Sequence, residues 1–335
     1  MKRGKINKTD LGKLLAAVSE TARCVGPVAD RVGVKLEALS NDCTLELGYG
    51  NFRLSPKRWF FPRSEVIARG IGDVLETVPL SEEATVLFGL RPCDTASLEF
   101  LDKIFLDEAY TDPYYKNRRD NTTIISLACS DPDPACFCTS LGGSPGATAG
   151  ADVLAVDLGS EVLFEALTDK GDAFLNQHGK LLSEASTADD TAKAKVIADA
   201  EATLTPLKMD GLPDKLSDLF DAPVWEAIGE RCIGCGTCTY LCPTCHCFGI
   251  TDEKAGANVQ RIRIQDACMF PQFTSEASGH NPRASQGARA RQRVMHKFSY
   301  TLENVGETFC VGCGRCVSHC PVNIDIREIL EEVAA

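Results

Sequence analysis

Two short stretches of the chain are apolar without interruption by charge. Thr85–Leu90 (TVLFGL) and Thr122–Ala128 (TTIISLA) are rich in aliphatic and β-branched residues, the pattern of strands covered on both faces. Between them, Asp94–Phe105 sets Ala96, Leu98, Leu101, Ile104 and Phe105 at helical spacing. Strand, helix, strand predicts a βαβ unit in a partly parallel sheet. Val153–Asp157 and Glu161–Glu165 predict two more strands. Cys43–Leu47 and Asn51–Leu54 are strand-like, and residues 11–40 show short helical patterns broken by Gly26, Pro27 and Gly33. Residues 140–151 (SLGGSPGATAGA) read as a loop. Ser183–Leu204, rich in Ala, Asp, Glu and Lys, predicts a solvent-facing helix. Pro206, Gly211, Pro213 and Pro223 mark a break, so the expected division is residues 1–225 and residues 226–335.

Composition adds one anomaly. The 335 residues are 44% hydrophobic and 24% charged, which is ordinary for a globular chain, but 17 are cysteines. Eleven of these lie in the last 110 residues. The N-terminus (MKRGKINKTD) has no apolar segment behind its basic residues, and no run approaches the ~18 apolar residues of a membrane span. The expectation is a cytoplasmic protein, where dense cysteine signals metal or redox chemistry more often than disulfides. Net charge is −12, and residues 226–335 contribute only −1 of it. An acidic body argues against nucleic acid and anionic membranes as partners.

The C-terminal cysteines carry the sharpest pattern. Cys232, Cys235, Cys238 and Cys242 follow C-x2-C-x2-C-x3-C with Pro243 next, and Cys310, Cys313, Cys316 and Cys320 repeat it with Pro321 next. This is the ferredoxin run for [4Fe–4S] clusters, in which the fourth cysteine ligates the other cluster. Crossed ligation is therefore expected. Cys232, Cys235, Cys238 and Cys320 would hold one cluster, and Cys310, Cys313, Cys316 and Cys242 the other. Gly234, Gly236, Gly312 and Gly314 would relax the backbone where it turns beside them. Zinc is disfavoured, because it prefers separated C-x2-C halves. The 67 residues between Cys242 and Cys310 include a helical stretch, Gln286–Tyr300. That insert gives a resemblance to α-helical ferredoxin domains such as those of fumarate reductase and heterodisulfide reductase subunits. The expected fold class is thus an α+β or α/β N-terminal domain with a partly parallel sheet, followed by an α-helical ferredoxin-like two-cluster domain.

Further cysteines leave alternatives open. If the strands of the βαβ unit are parallel neighbours, Cys93 and Cys129 lie at their carboxyl edge, where open α/β sheets bind ligands. Cys136 and Cys138 follow on the loop SDPDPACFC. The four could hold a third [4Fe–4S] cluster, hold zinc, or stand unligated. Arg91 could contact a cluster or partner, or pair with Asp94. Cys245, Cys247 and Cys268 could be extra ligands, redox thiols or buried thiols packed as small hydrophobes. Cys24 and Cys43 read as structural. Gly279–Lys297 is basic, with His280, Arg283, Arg289, Arg291, Arg293, His296 and Lys297 and no acid. It could raise a cluster's potential, dock an acidic partner, or form an exposed helix face.

Several motifs together resemble the β subunit of cytosolic sulfhydrogenases and the A subunit of anaerobic sulfite reductase. They are GLRPCDTASLEFLDKIF (89–105), ACSDPDPACFCTSLGG (128–143), CIGCGTCTYLCPTCHCF (232–248), GHNPR (279–283), RQRVMHKFSY (291–300) and CVGCGRCVSHCPV (310–322). His246 departs from the aromatic residue expected there. The resemblance implies a subunit that relays single electrons in an anaerobic complex. Its partners would be a flavin subunit using NAD(P)H and a catalytic subunit of hydrogenase, sulfite reductase or heterodisulfide reductase type. Flavin is expected on that partner, since no complete G-x-G-x-x-G or Walker A motif occurs here. Two other readings stand beside the relay. One is a redox enzyme in its own right, acting at Cys93/Cys129/Cys136/Cys138; the other is an iron–sulfur regulatory or scaffold protein.

Overall fold

A computed structural model describes residues 2–39, 45–209 and 211–334. Its strands are β1 (Arg3–Asn7), β2 (Arg23–Ala29), β3 (Val34–Ala38), β4 (Ser64–Ile71), β5 (Val74–Thr77), β6 (Thr85–Leu90), β7 (Thr122–Leu127), β8 (Val153–Asp157), β9 (Glu161–Ala166), β10 (Phe248–Ala255) and β11 (Asn258–Gln265). They form a seven-stranded sheet in the order β1-β9-β8-β7-β6-β2-β3 and a four-stranded sheet in the order β10-β11-β4-β5.

The seven-stranded sheet is mixed. β2, β6, β7 and β8 pair in parallel, while β1, β9 and β3 join antiparallel. The expected βαβ unit is present, with its helix at Pro92–Phe105 between β6 and β7. Proline at the first helical position fixes φ, and Arg91 before it stays extended as a pre-proline residue does. Burial explains the central strands: Leu87, Phe88, Leu90, Ile124, Ile125 and Leu127 are fully covered, each contributing about 1.5–3 kcal/mol relative to exposure. The polar helix expected at Ser183–Leu204 forms at Thr187–Glu201, started by a capping box between Ser186 and Asp189.

Some expected elements differ. Asn51–Leu54 has no strand. Cys43–Leu47 falls partly outside the described residues, and Leu45 makes only an isolated bridge to Val28. The helical patterns of residues 11–40 yield one helix, Leu11–Ser19, and then β2 and β3. There β2 buries Cys24, Val25, Gly26 and Pro27 in succession, and Gly26 and Pro27 weaken the strand signal.

Two compact units divide the chain. The first holds Met1–Pro56, Ser81–Pro206 and Val311–Gly314; the second holds Lys57–Leu80, Leu207–Cys310 and Arg315–Ala335. This interleaving differs from a single cut at residue 225, because β4 pairs with β11 over Ser64–Ile71. The second unit therefore carries a four-stranded antiparallel sheet beside its helices, rather than helices alone. Among the described residues, no helix is long and apolar enough to cross a membrane.

Candidate metal centres

In the second unit, the helix Val224–Arg231 ends at Cys232, and the chain turns at Gly234 and Gly236 with φ of 66° and 72°. A Cβ at Gly236 would lie 2.7 Å from the Phe270 ring, so the turn admits no side chain. Cys232, Cys235, Cys238 and Cys320 line one cavity, with Cys316 also on its wall and Met269 and Ile329 among its apolar residues. The cavity encloses about 620 Å³, open mouth included. Three thiols of the first motif thus share a cavity with the last thiol of the second. Hydrogen bonds reach the sulfurs: Ile324 N–H donates to Cys320 Sγ at 3.2 Å, and Cys235 lies 3.3 Å from the Thr237 hydroxyl.

Buried cations set the electrostatics of this unit. Arg293, Lys297 and Lys57 are 8%, 3% and 4% exposed. Arg293 Nε has no hydrogen-bond partner among the described residues. Burial opposes its charge, but the thiols of Cys238, Cys316, Cys245 and Cys242 outweigh that and hold its pKa well above the usual arginine value. Lys297 is raised in the same way, burial being outweighed by Cys242, Cys245 and Cys310. Lys57 is lowered by burial, with Cys245 and Cys242 opposing. A buried charge without a counter-charge costs several kcal/mol. The raised values of Arg293 and Lys297 require thiolate charge on these cysteines, which metal binding supplies and neutral thiols do not.

The second quartet is distributed differently. Cys242, Cys310 and Cys316 belong to the second unit, and Cys313 to the stretch grouped with the first. Cys242 is buried, and its Sγ lies 3.3 Å from Lys297 Nζ and 3.2 Å from Thr244 Oγ1. Its pKa is held well below the ordinary thiol range, first by a hydrogen bond from Cys245 and then by the charges of Lys297 and Lys57. Lys57 donates to the Cys245 carbonyl at 2.7 Å. Cys247 and Cys268 are neighbours beyond the paired ends of β10 and β11, and burial with mutual hydrogen bonding separates their acidities: Cys247 falls to about 7 while Cys268 rises. His246 is held by the Thr244 carbonyl (3.0 Å) and stands edge-on to His296 and Phe309.

The basic stretch is not one exposed face. Arg289, Arg293 and Lys297 are buried. Arg291 lies 3.7 Å over the Phe220 ring and donates to its carbonyl. His280 is exposed.

In the first unit, the carboxyl ends of β6 and β7 do gather thiols. Cys93 lies on the first turn of the helix after β6, and Cys129 two residues past β7. Cys93, Cys129, Cys136 and Cys138 line one cavity of about 320 Å³, mouth included, together with Arg91, Asn51, Gly312 and Cys313. Asn51 ties it together. Its amide donates to the Cys313 carbonyl at 2.8 Å and lies 3.5 Å from Cys136 Sγ, while its carbonyl accepts from Cys93 at 3.5 Å. Gly312 fills a tight cradle: its φ is 62°, and a Cβ there would lie 2.5 Å from Cys138 N. Arg91 is buried and donates to the carbonyls of Gly50, Leu127, Ala128, Leu47 and Tyr49. It pins the loop before β4 to the end of β7. Burial pushes the Cys136 thiol up to about 12 and Cys138 up to about 11, and raises Cys129.

The donor chemistry fits four-thiolate clusters in both cavities. Among the described residues, no three His, Cys, Asp or Glu side chains are grouped tightly enough for one metal ion. A cubane asks for a wider spread, because its four thiolates bind four different irons. Asn51, Lys57 and Thr244 escaped the sequence reading. A lone Asn or Lys carries no motif, and Thr244 was hidden inside CPTC. Cys24 is buried, and burial raises its thiol to about 11, as a structural cysteine would show. Cys43 lies outside the described residues.

Cavities of this kind suit iron–sulfur clusters, and the family model of the 4Fe-4S dicluster domain, which defines an iron–sulfur protein, matches residues 231–324. Sulfhydrogenase 2 subunit beta of Pyrococcus furiosus is 34% identical over 320 residues, covering 94% of this chain and 93% of that protein. The chain belongs to the sulfhydrogenase β-subunit family. It is an iron–sulfur electron-transfer subunit of the oxidoreductase class.

Proposed function

We propose that this chain relays single electrons between a flavin subunit using NAD(P)H and a catalytic subunit of hydrogenase, sulfite reductase or heterodisulfide reductase type, in a cytoplasmic complex. Three [4Fe–4S] clusters carry the relay. Cys232, Cys235, Cys238 and Cys320 hold the first, Cys310, Cys313, Cys316 and Cys242 the second, and Cys93, Cys129, Cys136 and Cys138 the third. When bound, such clusters take up and release one electron at a time. The chain's own residues fix the sulfurs, exclude water and supply buried charge, the means by which a protein tunes a cluster. The observation that carries this reading is the sharing of one cavity by Cys320 and the three leading cysteines of the other motif.

The test is anaerobic purification followed by iron analysis and identification of co-purifying subunits. About 12 irons per chain are expected for three [4Fe–4S] clusters, with a flavoprotein bound. Cys320→Ala should lose about 4 of them. About 8 irons in the native chain would remove the third cluster, and turnover of a substrate by the isolated chain would favour a stand-alone enzyme.

A further inference from the structure

We infer that Lys297, positioned by Thr244, sets the redox potential of the cluster ligated through Cys242, by donating a hydrogen bond to that cysteine's sulfur. The inference rests on the ligation proposed above. Lys297 sits on a single π-helical turn, His296–Tyr300, that interrupts the helical run beginning at Gln286. Such turns occur mostly as one-turn bulges and often at functional sites. Here the bulge carries a lysine that is only 3% exposed beside a threonine that is 1% exposed.

Proton counting gives the direction of each bond. Lys297 Nζ lies 3.3 Å from Cys242 Sγ, 2.8 Å from Thr244 Oγ1 and 2.9 Å from the Phe309 carbonyl. An ammonium has three protons and no acceptor, so these three acceptors use it completely. Thr244 accepts one of those protons and has one of its own. That proton has two acceptors in reach, Phe309 O at 2.7 Å and Cys242 Sγ at 3.2 Å. A carbonyl oxygen has two lone pairs and takes both protons, so the hydroxyl proton stays on the nearer Phe309 O, and Thr244 serves to hold the ammonium against the sulfur. A ligating thiolate at Cys242 then receives a hydrogen bond from a buried cation.

Reduction adds one negative charge to a cluster that is already an anion. Donors to a ligand sulfur favour the more negative state and raise the potential. Charge-assisted hydrogen bonds are roughly twice as strong as neutral ones, so Lys297 has the larger effect, and Thr244, which acts through the position of the ammonium, the smaller.

The test is a potentiometric titration of the full chain followed by electron paramagnetic resonance, with iron counted in parallel. In Lys297→Gln, one cluster's midpoint should move negative by at least tenfold in its reduction equilibrium, 59 mV for one electron. Thr244→Val should move the same midpoint in the same direction and by less, with iron content at the native level in both. Unchanged midpoints at native iron content overturn the inference. If Lys297→Gln loses iron, Thr244→Val decides: a negative shift supports the inference and no shift overturns it. Cys242→Ala separates the two readings. Native iron in that variant means that the ligation itself has failed, whereas iron loss there together with unmoved midpoints in Thr244→Val sinks the potential-setting role alone.

Discussion

The two thiol cavities hold sulfur in opposite electrostatic settings. In the second unit, three buried cations face cysteines. In the first, the buried Arg91 gives its guanidinium to five backbone carbonyls, and the largest influence on Cys129, Cys136 and Cys138 is burial, which raises all three. One scaffold is charged in advance for an anion. The other commits its buried cation to backbone carbonyls, and burial leaves its thiols with protons they must lose when a metal binds. Binding energy at the second unit therefore includes neutralising charge that the fold has already buried, while the first unit keeps its backbone pins with or without metal.

The largest expected effect breaks this comparison directly. Anaerobic removal of iron by a chelator should unfold the second unit and leave the first largely folded. Leaving even one buried charge uncompensated costs about 3–5 kcal/mol, and Arg293 and Lys297 lose the metal-bound thiolates that balance them. Hydrogen exchange of the stripped chain should show protection retained in β6, β7 and β8 and lost in the helix Gln286–Met295. Equal loss in both units would refute the contrast.

A second change sharpens it. Arg293→Met removes a cation without removing volume. Replacing a buried charge by an apolar residue of similar size is often neutral or stabilising by about 1–4 kcal/mol once its partner is gone. The stripped variant should therefore regain hydrogen-exchange protection in the helix Gln286–Met295, and the iron-loaded variant should show no stability gain in urea. Destabilisation of both forms would show that Arg293 serves packing alone.

The first unit answers to backbone geometry more than to charge. Gly312→Ala forces a side chain to φ 62° and to within 2.6 Å of Cys138 Cα. Backbone strain of this kind costs of order 1–3 kcal/mol. The urea midpoint should fall in the iron-free chain as well as in the loaded one, because the clash involves no metal. A decrease confined to the loaded chain would mean that the glycine matters only to the cluster.

Much of this contrast was legible in the residues and part was not. β6, β7 and β8 declared themselves because central parallel strands are apolar on both faces. The paired motifs declared the dicluster domain because cubane chemistry dictates spacing. β4 and β5 were missed: Ser64–Ile71 alternates weakly, and its partner β11 lies almost two hundred residues away, a distance that no local pattern spans. The basic stretch Gly279–Lys297 left cluster tuning, partner docking and an exposed face all open, because charge in sequence carries no sign of burial. Only the packing shows that Arg289, Arg293 and Lys297 point inward. Asn51, in a segment with no regular structure, became visible only when its amide was found between Cys136 and Cys313.

The smallest effect concerns acid. His296 sits among the same cations, and its pKa is lowered to about 4, first by burial and then by His246, Lys297 and Arg283. It is therefore neutral in the folded chain over a range in which the unfolded chain, with an ordinary histidine near 6.5, binds a proton. Stability from this group is complete above about 6.5 and is lost as pH falls from there toward 4, at no more than about 1.4 kcal/mol per unit. Partial exposure of the ring lowers that figure. His296→Gln cannot take up a proton, so its loss of stability between pH 6.5 and 4.5 should be shallower than that of the native chain. The comparison is best made by urea midpoints of the iron-loaded protein at several pH values. Parallel slopes would mean that the cations around His296 do not oppose a further positive charge, and the view of the second unit as a scaffold charged in advance would lose its support there.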